Sequence, residues 1–150
     1  MIELMVVVAV VAILAMLAIP SYQDRVIRTQ VAEGVTLVDF VRESVQAFYK
    51  LQHKLPADNT EAGLPAAAQI IGNYVSNVTV ADGAMTITYG NRVNPNLAGK
   101  RLTLRPAVVD GAPVVPIAWV CGHAAAPEGM KLVGIDATSL PAQYLPLNCR

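Results

Sequence analysis

The sequence has few charged residues and no excess of either sign. Only 15% of its 150 residues are charged, and eleven basic residues balance eleven acidic ones. A protein that binds nucleic acid or acidic partners through its overall charge carries a basic excess, which this chain lacks. The composition therefore gives no support for that class of function. The length corresponds to a single domain.

Residue types that carry most catalytic and metal chemistry are scarce. The chain has two histidines, His53 and His123, and two cysteines, Cys121 and Cys149. The group Cys121-Gly122-His123 has too few ligands for a zinc site, which needs four protein ligands or three and a water. No G-x-S-x-G motif, phosphate-binding glycine loop or cluster of paired carboxylates is present. We therefore expect no enzymatic activity, no cofactor, no metal and no nucleotide site.

Polar residues are missing from most of the first twenty positions. Sixteen consecutive apolar residues run from Leu4 to Ile19, and Glu3 lies just before them. At about 1.5 Å per residue, the run covers roughly 24 Å of helix. This is short for a bilayer core of about 30 Å, but with its flanks the run can cross. A helix that is apolar all round is buried on all sides, in lipid or in other protein.

Three interpretations of this apolar run can be compared. A cleaved secretory signal has a basic start, whereas this chain begins Met1-Ile2-Glu3. A buried helix of a soluble domain normally has a polar face, and this run has none. A membrane helix fits best, although the nearest basic residues, Arg25 and Arg28, follow the run instead of preceding it. We therefore expect a basic leader ahead of the sequence given.

The two cysteines lie in the last thirty residues. An even pair downstream of a membrane-targeting stretch predicts one disulfide, Cys121–Cys149, formed in an oxidising compartment. Two unpaired buried thiols are the alternative. Such a bridge would enclose the tail, residues 122–150, which has little periodicity and no strand pattern of its own.

The helical pattern continues after the apolar run but becomes amphipathic. From residue 21 to about Gln52, apolar residues recur at steps of three or four: Ile27, Val31, Val35, Val38, Val41, Val45 and Phe48. Pro20 should kink the helix because it removes one backbone hydrogen bond and clashes with the preceding turn. Gly34 should soften it by about 1 kcal/mol relative to alanine. We expect one helix of some fifty residues with a protruding first half.

The rest of the chain predicts an antiparallel sheet. Residues 53–72 contain turn-forming residues and one predicted helical turn, at residues 66–71. Alternating patterns and turn residues then predict four strands, at residues 73–80, 84–89, 100–109 and 114–121. Pro106 should push part of the third strand to an edge or a bulge. The predicted fold is α+β: a long kinked N-terminal helix packed on a four-stranded antiparallel meander, residues 73–121, followed by a disulfide-bounded C-terminal loop.

Two segments resemble type IV pilins. The first is Ile2-Glu3-Leu4-Met5 followed by Val7-Val8-Ala9, Ile13-Leu14-Ala15 and Ala18-Ile19-Pro20-Ser21-Tyr22-Gln23-Asp24. The second is the ending Thr138-Ser139-Leu140-Pro141-Ala142-Gln143-Tyr144-Leu145-Pro146 followed by Cys149, which is similar to the disulfide-bounded loop of that family. In the family, the acid that corresponds to Glu3 pairs with the amino terminus of a neighbouring subunit. The family's helix-loosening glycine is Ala12 here, and a second aromatic after Tyr22 is Arg25.

The resemblance implies a structural subunit that polymerises into type IV pilus fibres for adhesion, twitching motility and DNA uptake. Residues 1–20 would be a transmembrane and fibre-core helix half, and residues 21–150 a periplasmic domain that becomes the fibre surface. The implied partners are further copies of the chain, the inner-membrane assembly machinery with its ATPases, a prepilin peptidase and an outer-membrane secretin. The subunit would wait in the inner membrane and end in an extracellular fibre. Leader cleavage and N-methylation are implied but fall on no residue of this sequence.

Two other functions remain open at this stage. A minor pilin or secretion pseudopilin would have the same N-terminal helix, but pseudopilins generally lack the terminal bridge. A monomeric, membrane-anchored periplasmic binding module would stay unassembled and hold a ligand pocket in its β-domain.

Overall fold

One long, bent helix precedes a single sheet. The computed structural model describes residues 1–149, with the side chains of residues 17–21 and 148 outside the description. Helix α1 spans Ile2–Leu37 and helix α2 spans Asp39–Gln52. The predicted end at Gln52 is confirmed, and His53 closes α2 in a left-handed conformation with φ 55°. The kink predicted at Pro20 lies outside the described side chains and stays a prediction.

Only Val38 separates the two helices. Its backbone has φ −87° and ψ 6°. Two residues earlier, the Thr36 hydroxyl donates a hydrogen bond to the carbonyl of Ala32 at 3.2 Å, and a threonine bonded one turn back favours a bend. Asp39 then begins α2, where a carboxylate suits the positive end of the helix dipole. The sequence pattern gave no sign of this interruption.

The apolar stripe of the helix forms one wall of the core. Ile27, Val31, Val38, Val41 and Val45 are all buried, as predicted, and Val35 is partly buried against them. The last buried residue of α2 is Tyr49, whereas the predicted Phe48 is only half-buried. Tyr49 follows Val45 by four residues and so completes the stripe.

The sheet is an antiparallel meander, as predicted. Strands β1 to β4 pair with one another in chain order. The strands are β1 (Val75–Ala81), β2 (Ala84–Tyr89), β3 (Arg101–Val108) and β4 (Ala118–Cys121). Asp82 and Gly83 join β1 to β2 with φ values of 50° and 77°, which is the geometry of a type I′ hairpin turn. The buried face of this sheet packs on the helix stripe.

Two strand predictions need correction. The fourth strand begins at Ala118 and not at Val114, because Pro113 and Pro116 have no N–H groups for a strand ladder. Val114 is 90% exposed as a result. A fifth strand, β5 (Lys131–Leu132), pairs with the end of β3. Two residues are too few to give an alternating pattern, so the sequence did not predict β5.

Pro106 lies inside β3, between two stretches of pairing. The register with β2 ends at Leu104, and the register with β5 begins at Ala107. The carbonyl of Pro106 accepts a hydrogen bond from the Val133 N–H at 2.9 Å. The missing N–H of proline therefore falls at a local gap in pairing, beyond the end of β2 and before β5 begins, which agrees with the predicted edge position. The register with β4 runs through Pro106 without a bulge.

The loop after the helix covers the open edge of the sheet. Asn59 is buried, its amide donates to the carbonyls of Pro65 and Val78, and its oxygen accepts from the Val80 N–H at 2.7 Å. One side chain thus replaces a strand partner along β1 and protects this edge from pairing with other chains. The predicted helical turn is present as a 3₁₀ turn, Ala67–Gln69.

Candidate functional site

The first sixteen residues form an exposed apolar rod, and we use the name apolar rod for residues 1–16. Every one of them is exposed; Leu4 and Ile13, for example, keep 71% and 61% of their surface. Among the residues that the structure describes, no helix is both long enough and apolar enough to count as a membrane span. Soluble monomers rarely expose contiguous apolar patches larger than a few hundred Å². The apolar rod is therefore a surface that other molecules cover.

Glu3 is the only acidic residue of the apolar rod, and it lies in the first turn of α1. Its carboxylate has no hydrogen-bond or ion-pair partner within the described part of the chain. The positive end of the helix dipole favours an acid at this position. Its neighbours in sequence, Ile2 and Leu4, are apolar and exposed. A carboxylate that becomes buried needs an ion pair or hydrogen bonds to offset the loss of water.

One stripe of the apolar rod is shaped for close packing. Leu4, Met5, Val8, Ala9 and Ala12 line a shallow apolar depression along the helix. Alanine has almost no side chain, so Ala9 and Ala12 allow another helix backbone to approach closely. The stripe therefore suits a second helix better than a small polar ligand.

The C-terminal tail is closed by a disulfide. Cys121, the last residue of β4, is bonded to Cys149. This confirms the predicted bridge and excludes the alternative of two free thiols. The next residue, Gly122, has φ 59°, and a Cβ there would lie 2.5 Å from the carbonyl oxygen of Cys149. A glycine at this position is thus what lets the two ends of the tail meet.

Hydroxyl groups hold the tail along β3. The Ser139 N–H donates to the carbonyl of Arg101, and the Ser139 hydroxyl accepts from the Arg101 N–H, each at 2.9 Å. The Thr138 hydroxyl accepts from the Thr103 N–H at 3.1 Å. The strand β4 ends before it reaches Arg101 and Thr103. Bonds from Ser139 and Thr138 therefore satisfy backbone groups of β3 that would otherwise need a paired strand. The sequence pattern suggested only that the tail is irregular, and these bonds explain how it still binds the sheet.

A charged cluster fixes the middle of the tail. The Asp136 carboxylate lies 2.8 Å from His123 Nδ1 and 3.9 Å from the Arg105 guanidinium, and accepts from the Thr138 N–H at 2.9 Å. Burial alone would raise the pKa of Asp136. The hydrogen bonds from Thr138 and His123 and the charge of Arg105 outweigh burial and lower this pKa below its ordinary value of 3.8. Arg105 also donates to the Gly122 carbonyl, beside the disulfide.

No pattern in the sequence indicates this cluster. Its three members, Arg105, His123 and Asp136, come from β3, from the residues after β4 and from the middle of the tail, and no spacing in the sequence brings them together. Of the two histidines, His53 lies exposed at the end of α2, and His123 is exposed but bonded to Asp136. Across residues 1–149, no group of three or more His, Cys, Asp or Glu residues could hold a metal ion.

Comparisons with known proteins agree with this architecture. The family model for pilin, a bacterial filament, matches residues 27–150. The chain is 36% identical over 156 residues to the type IV major pilin protein PilE1 of Neisseria gonorrhoeae, in an alignment that covers all of this chain and 84% of that protein. It is 33% identical over 159 residues to a fimbrial protein of Neisseria meningitidis serogroup B, with 91% of that protein covered. It is 34% identical to the fimbrial protein EcpC of Eikenella corrodens, with 88% covered.

Proposed function

This chain belongs to the type IV pilin family and is a structural subunit of a pilus. We propose a separate role for each of its two parts, residues 1–20 and residues 21–150. Residues 1–20 are held in the inner membrane before assembly and enter the core of the fibre afterwards. Residues 21–150 face the periplasm first and then form the fibre surface. The observation that carries this proposal is the exposure of every residue of the apolar rod, because further copies can cover such a helix on all sides.

The transfer from lipid to fibre changes little in apolar burial. Lipid tails and apolar side chains are similarly hydrophobic, so close packing and polar contacts determine whether membrane helices associate. A carboxylate is costly in lipid, about 2.5–3.5 kcal/mol for an acidic residue at the bilayer centre on insertion scales. Pairing Glu3 with the amino terminus of a neighbouring subunit would remove that cost. The pairing would also set the axial position of each new subunit.

The energy for assembly has to come from other proteins. No nucleotide-binding motif is found in this sequence, so we assign extraction from the membrane to partner ATPases of an inner-membrane assembly machine. A prepilin peptidase would remove a leader and methylate the new amino terminus, and an outer-membrane secretin would pass the fibre to the outside. Adhesion, twitching motility and DNA uptake are the activities that we propose for the fibre.

Substitution of Glu3 tests the proposal. The chain is expressed behind the leader of a piliated bacterium whose own major pilin has been deleted. We expect Glu3→Ala to leave the protein in the membrane fraction while sheared surface fibres disappear. Val7→Ala, a change of similar size in the same exposed run, is the matched control and should still give fibres. Abundant normal fibres from Glu3→Ala would contradict the pairing.

The amount of protein in the fibre separates a major from a minor subunit. The relatives are named major pilins, which supports a role as the main subunit. We therefore expect this chain to dominate the sheared fibre fraction by mass. Trace amounts would favour the minor-pilin alternative, and a chain that never leaves the membrane would favour the binding module.

A further inference from the structure

The apolar stripe that joins α1 and α2 to the sheet repeats itself. Its buried positions are valine at nearly every turn, from Val31 through Val38 and Val41 to Val45. If the helix slid along the sheet by one turn, about 5.4 Å, each valine would take the place of another apolar residue of the stripe. Apolar burial is non-directional and would change little. Something other than the stripe must therefore determine where the helix lies along the sheet.

Gly34 and Tyr89 supply a contact that does not repeat. Tyr89, at the end of β2, is fully buried, and its hydroxyl donates to the carbonyl of Val31 at 2.9 Å. A Cβ at Gly34 would lie 2.6 Å from the Cε1 atom of this ring and 2.8 Å from its hydroxyl oxygen. Only glycine leaves room for the ring at this turn of the helix. From the sequence alone, Gly34 is predicted only to soften the helix. The close approach of the Tyr89 ring explains why this residue is glycine.

Neighbouring turns of the helix cannot replace Gly34. The residues three or four positions away are Gln30, Val31, Leu37 and Val38, and all of them carry side chains. Sliding α1 by one turn in either direction would therefore place a side chain against the Tyr89 ring. A tightly packed interior permits discrete arrangements and not a gradual shift.

A second polar contact fixes the same turn. Gln30 is 8% exposed, and its side-chain oxygen accepts from the backbone N–H of Asn94 at 2.9 Å. A slip of one turn would move Gln30 away from Asn94 and leave this part-buried backbone N–H without its partner. One directional contact, between Gln30 and Asn94, and one steric fit, between Gly34 and Tyr89, thus coincide at residues 30–34.

We propose that Gly34 and Tyr89 form a register key, which sets the axial position of α1 on the sheet and is required for ordered pilus assembly. The inference rests on the proposed function. Residues 1–16 and 22–37 belong to the same helix, so an axial slip at the sheet moves the apolar rod relative to the surface domain by the same distance. Copies can form one regular helical lattice only if this distance is the same in every subunit.

The test removes the key while preserving the packing. In the double variant Gly34→Ala/Tyr89→Leu, the smaller leucine side chain leaves space for the new methyl group and cannot bond Val31. The full chain is expressed in the pilin-deleted bacterium described above. We expect cooperative thermal unfolding and normal membrane insertion, but at least about a tenfold loss of sheared fibre, with no single rise and twist in the remainder. Tyr144→Leu, at another buried tyrosine in the tail, is the control and should keep the wild-type rise and twist.

A distance measurement examines the register directly. Spin labels are placed at exposed Arg28 on the helix and Thr79 on the sheet, through unnatural amino acids that leave the disulfide intact. In detergent, the wild-type subunit should give one narrow distance. The double variant should give a broader distribution or a second distance, separated by up to about 5 Å, the rise of one turn. If the double variant does not fold, Tyr89→Leu alone, which removes the ring and leaves Gly34 in place, is judged by both readouts.

The outcomes separate this inference from the proposed function. Wild-type fibres together with lost or irregular variant fibres and a broadened distance support the register key. A folded variant with the wild-type distance, or with wild-type rise and twist, overturns the register key and leaves the proposed function intact. Absence of fibres from the wild-type chain in the same cells overturns the proposed function itself.

Discussion

The two parts of the long helix share a backbone conformation but have opposite surroundings. Residues 1–16 are exposed on every side and, among the described residues, touch no part of the sheet core. From Ile27 to Tyr49, one stripe is buried against the sheet, and the side chain of Gln30 bonds to the loop after β2. The apolar surface of the first part is left open by its own chain, whereas the apolar stripe of the second part is covered by the sheet of the same chain.

Helix propensity does not explain this difference. Both parts are rich in valine, whose branched side chain is a modest helix former. Most of the stability of a helix in a protein comes from packing of an apolar face and not from propensity. The second part packs on the sheet, and the first has no such surface to pack on. We therefore expect changes in the two parts to affect different measurements.

Removal of the first part should have the largest effect on assembly and the smallest on the fold. A fragment that begins at Tyr22 should be a water-soluble monomer and form no fibres. Its unfolding temperature should lie within about 3 °C of that of the full chain in detergent, since a change below 1 kcal/mol shifts a domain of this size by only a few degrees. Calorimetry and sedimentation measure both properties. A fragment without cooperative unfolding would show that the two parts are not independent.

Loss of the disulfide should have the largest effect on the stability of the β-domain. Cys121 and Cys149 close a loop with a sequence separation of 28, for which chain-entropy estimates give about 3–4 kcal/mol. We expect Cys121→Ser/Cys149→Ser to lose roughly this free energy of unfolding in urea titrations of the fragment from Tyr22. A loss below 1 kcal/mol would mean that the hydroxyl bonds and the Asp136 cluster hold the tail without the bridge.

Matched valine substitutions compare the two parts directly. Val31 is fully buried and Val8 is 60% exposed. Val31→Ala removes buried methyl groups and leaves a cavity, so it should cost about 2 kcal/mol of unfolding free energy. Val8→Ala should change the stability of the detergent-solubilised subunit by less than about 0.5 kcal/mol. Equal losses in chemical denaturation would show that the apolar rod is packed on its own domain.

The smallest expected effect is a pH dependence in the tail. The pKa of Asp136 is lower in the folded chain than its ordinary 3.8, so the unfolded chain binds this proton more readily. The stabilisation is fully present above that value and is lost as the pH falls below it, through the folded pKa. We expect a loss of about 1 kcal/mol or less at pH 2–3. The variant Asp136→Asn should lack this component of the pH profile, and an unchanged profile would contradict the assignment.

Elements that depend on local pattern were predictable. The spacing of apolar residues and the positions of turn residues predicted the helix end at Gln52, the buried stripe from Ile27 to Val45 and the hairpin at Asp82-Gly83. Each of these signals lies within a few neighbouring residues. The protruding first part followed from the absence of any polar face. The disulfide followed from the cysteine count and from the resemblance to pilins.

Elements that depend on distant residues were not predictable. The tail binds β3 through Thr138 and Ser139, and Asp136 meets residues far away in the chain, although neither segment has a periodic pattern. The two-residue strand β5 exists only because β3 extends beyond the end of β2. Gly34 gave the same signal in sequence that any helix glycine gives, and only the Tyr89 ring shows why it is glycine.

The sequence by itself determined that this chain carries an apolar helix too hydrophobic to stay uncovered, because every residue from Leu4 to Ile19 is apolar whatever surrounds it. It also determined the order of helix and strands, because their periods are local properties of the chain. Only the tertiary structure decided where the helix lies along the sheet and how the tail is held. Those choices depend on specific contacts between residues far apart in sequence, such as Gln30 with Asn94 and Gly34 with Tyr89, and a repeating row of valines cannot specify them.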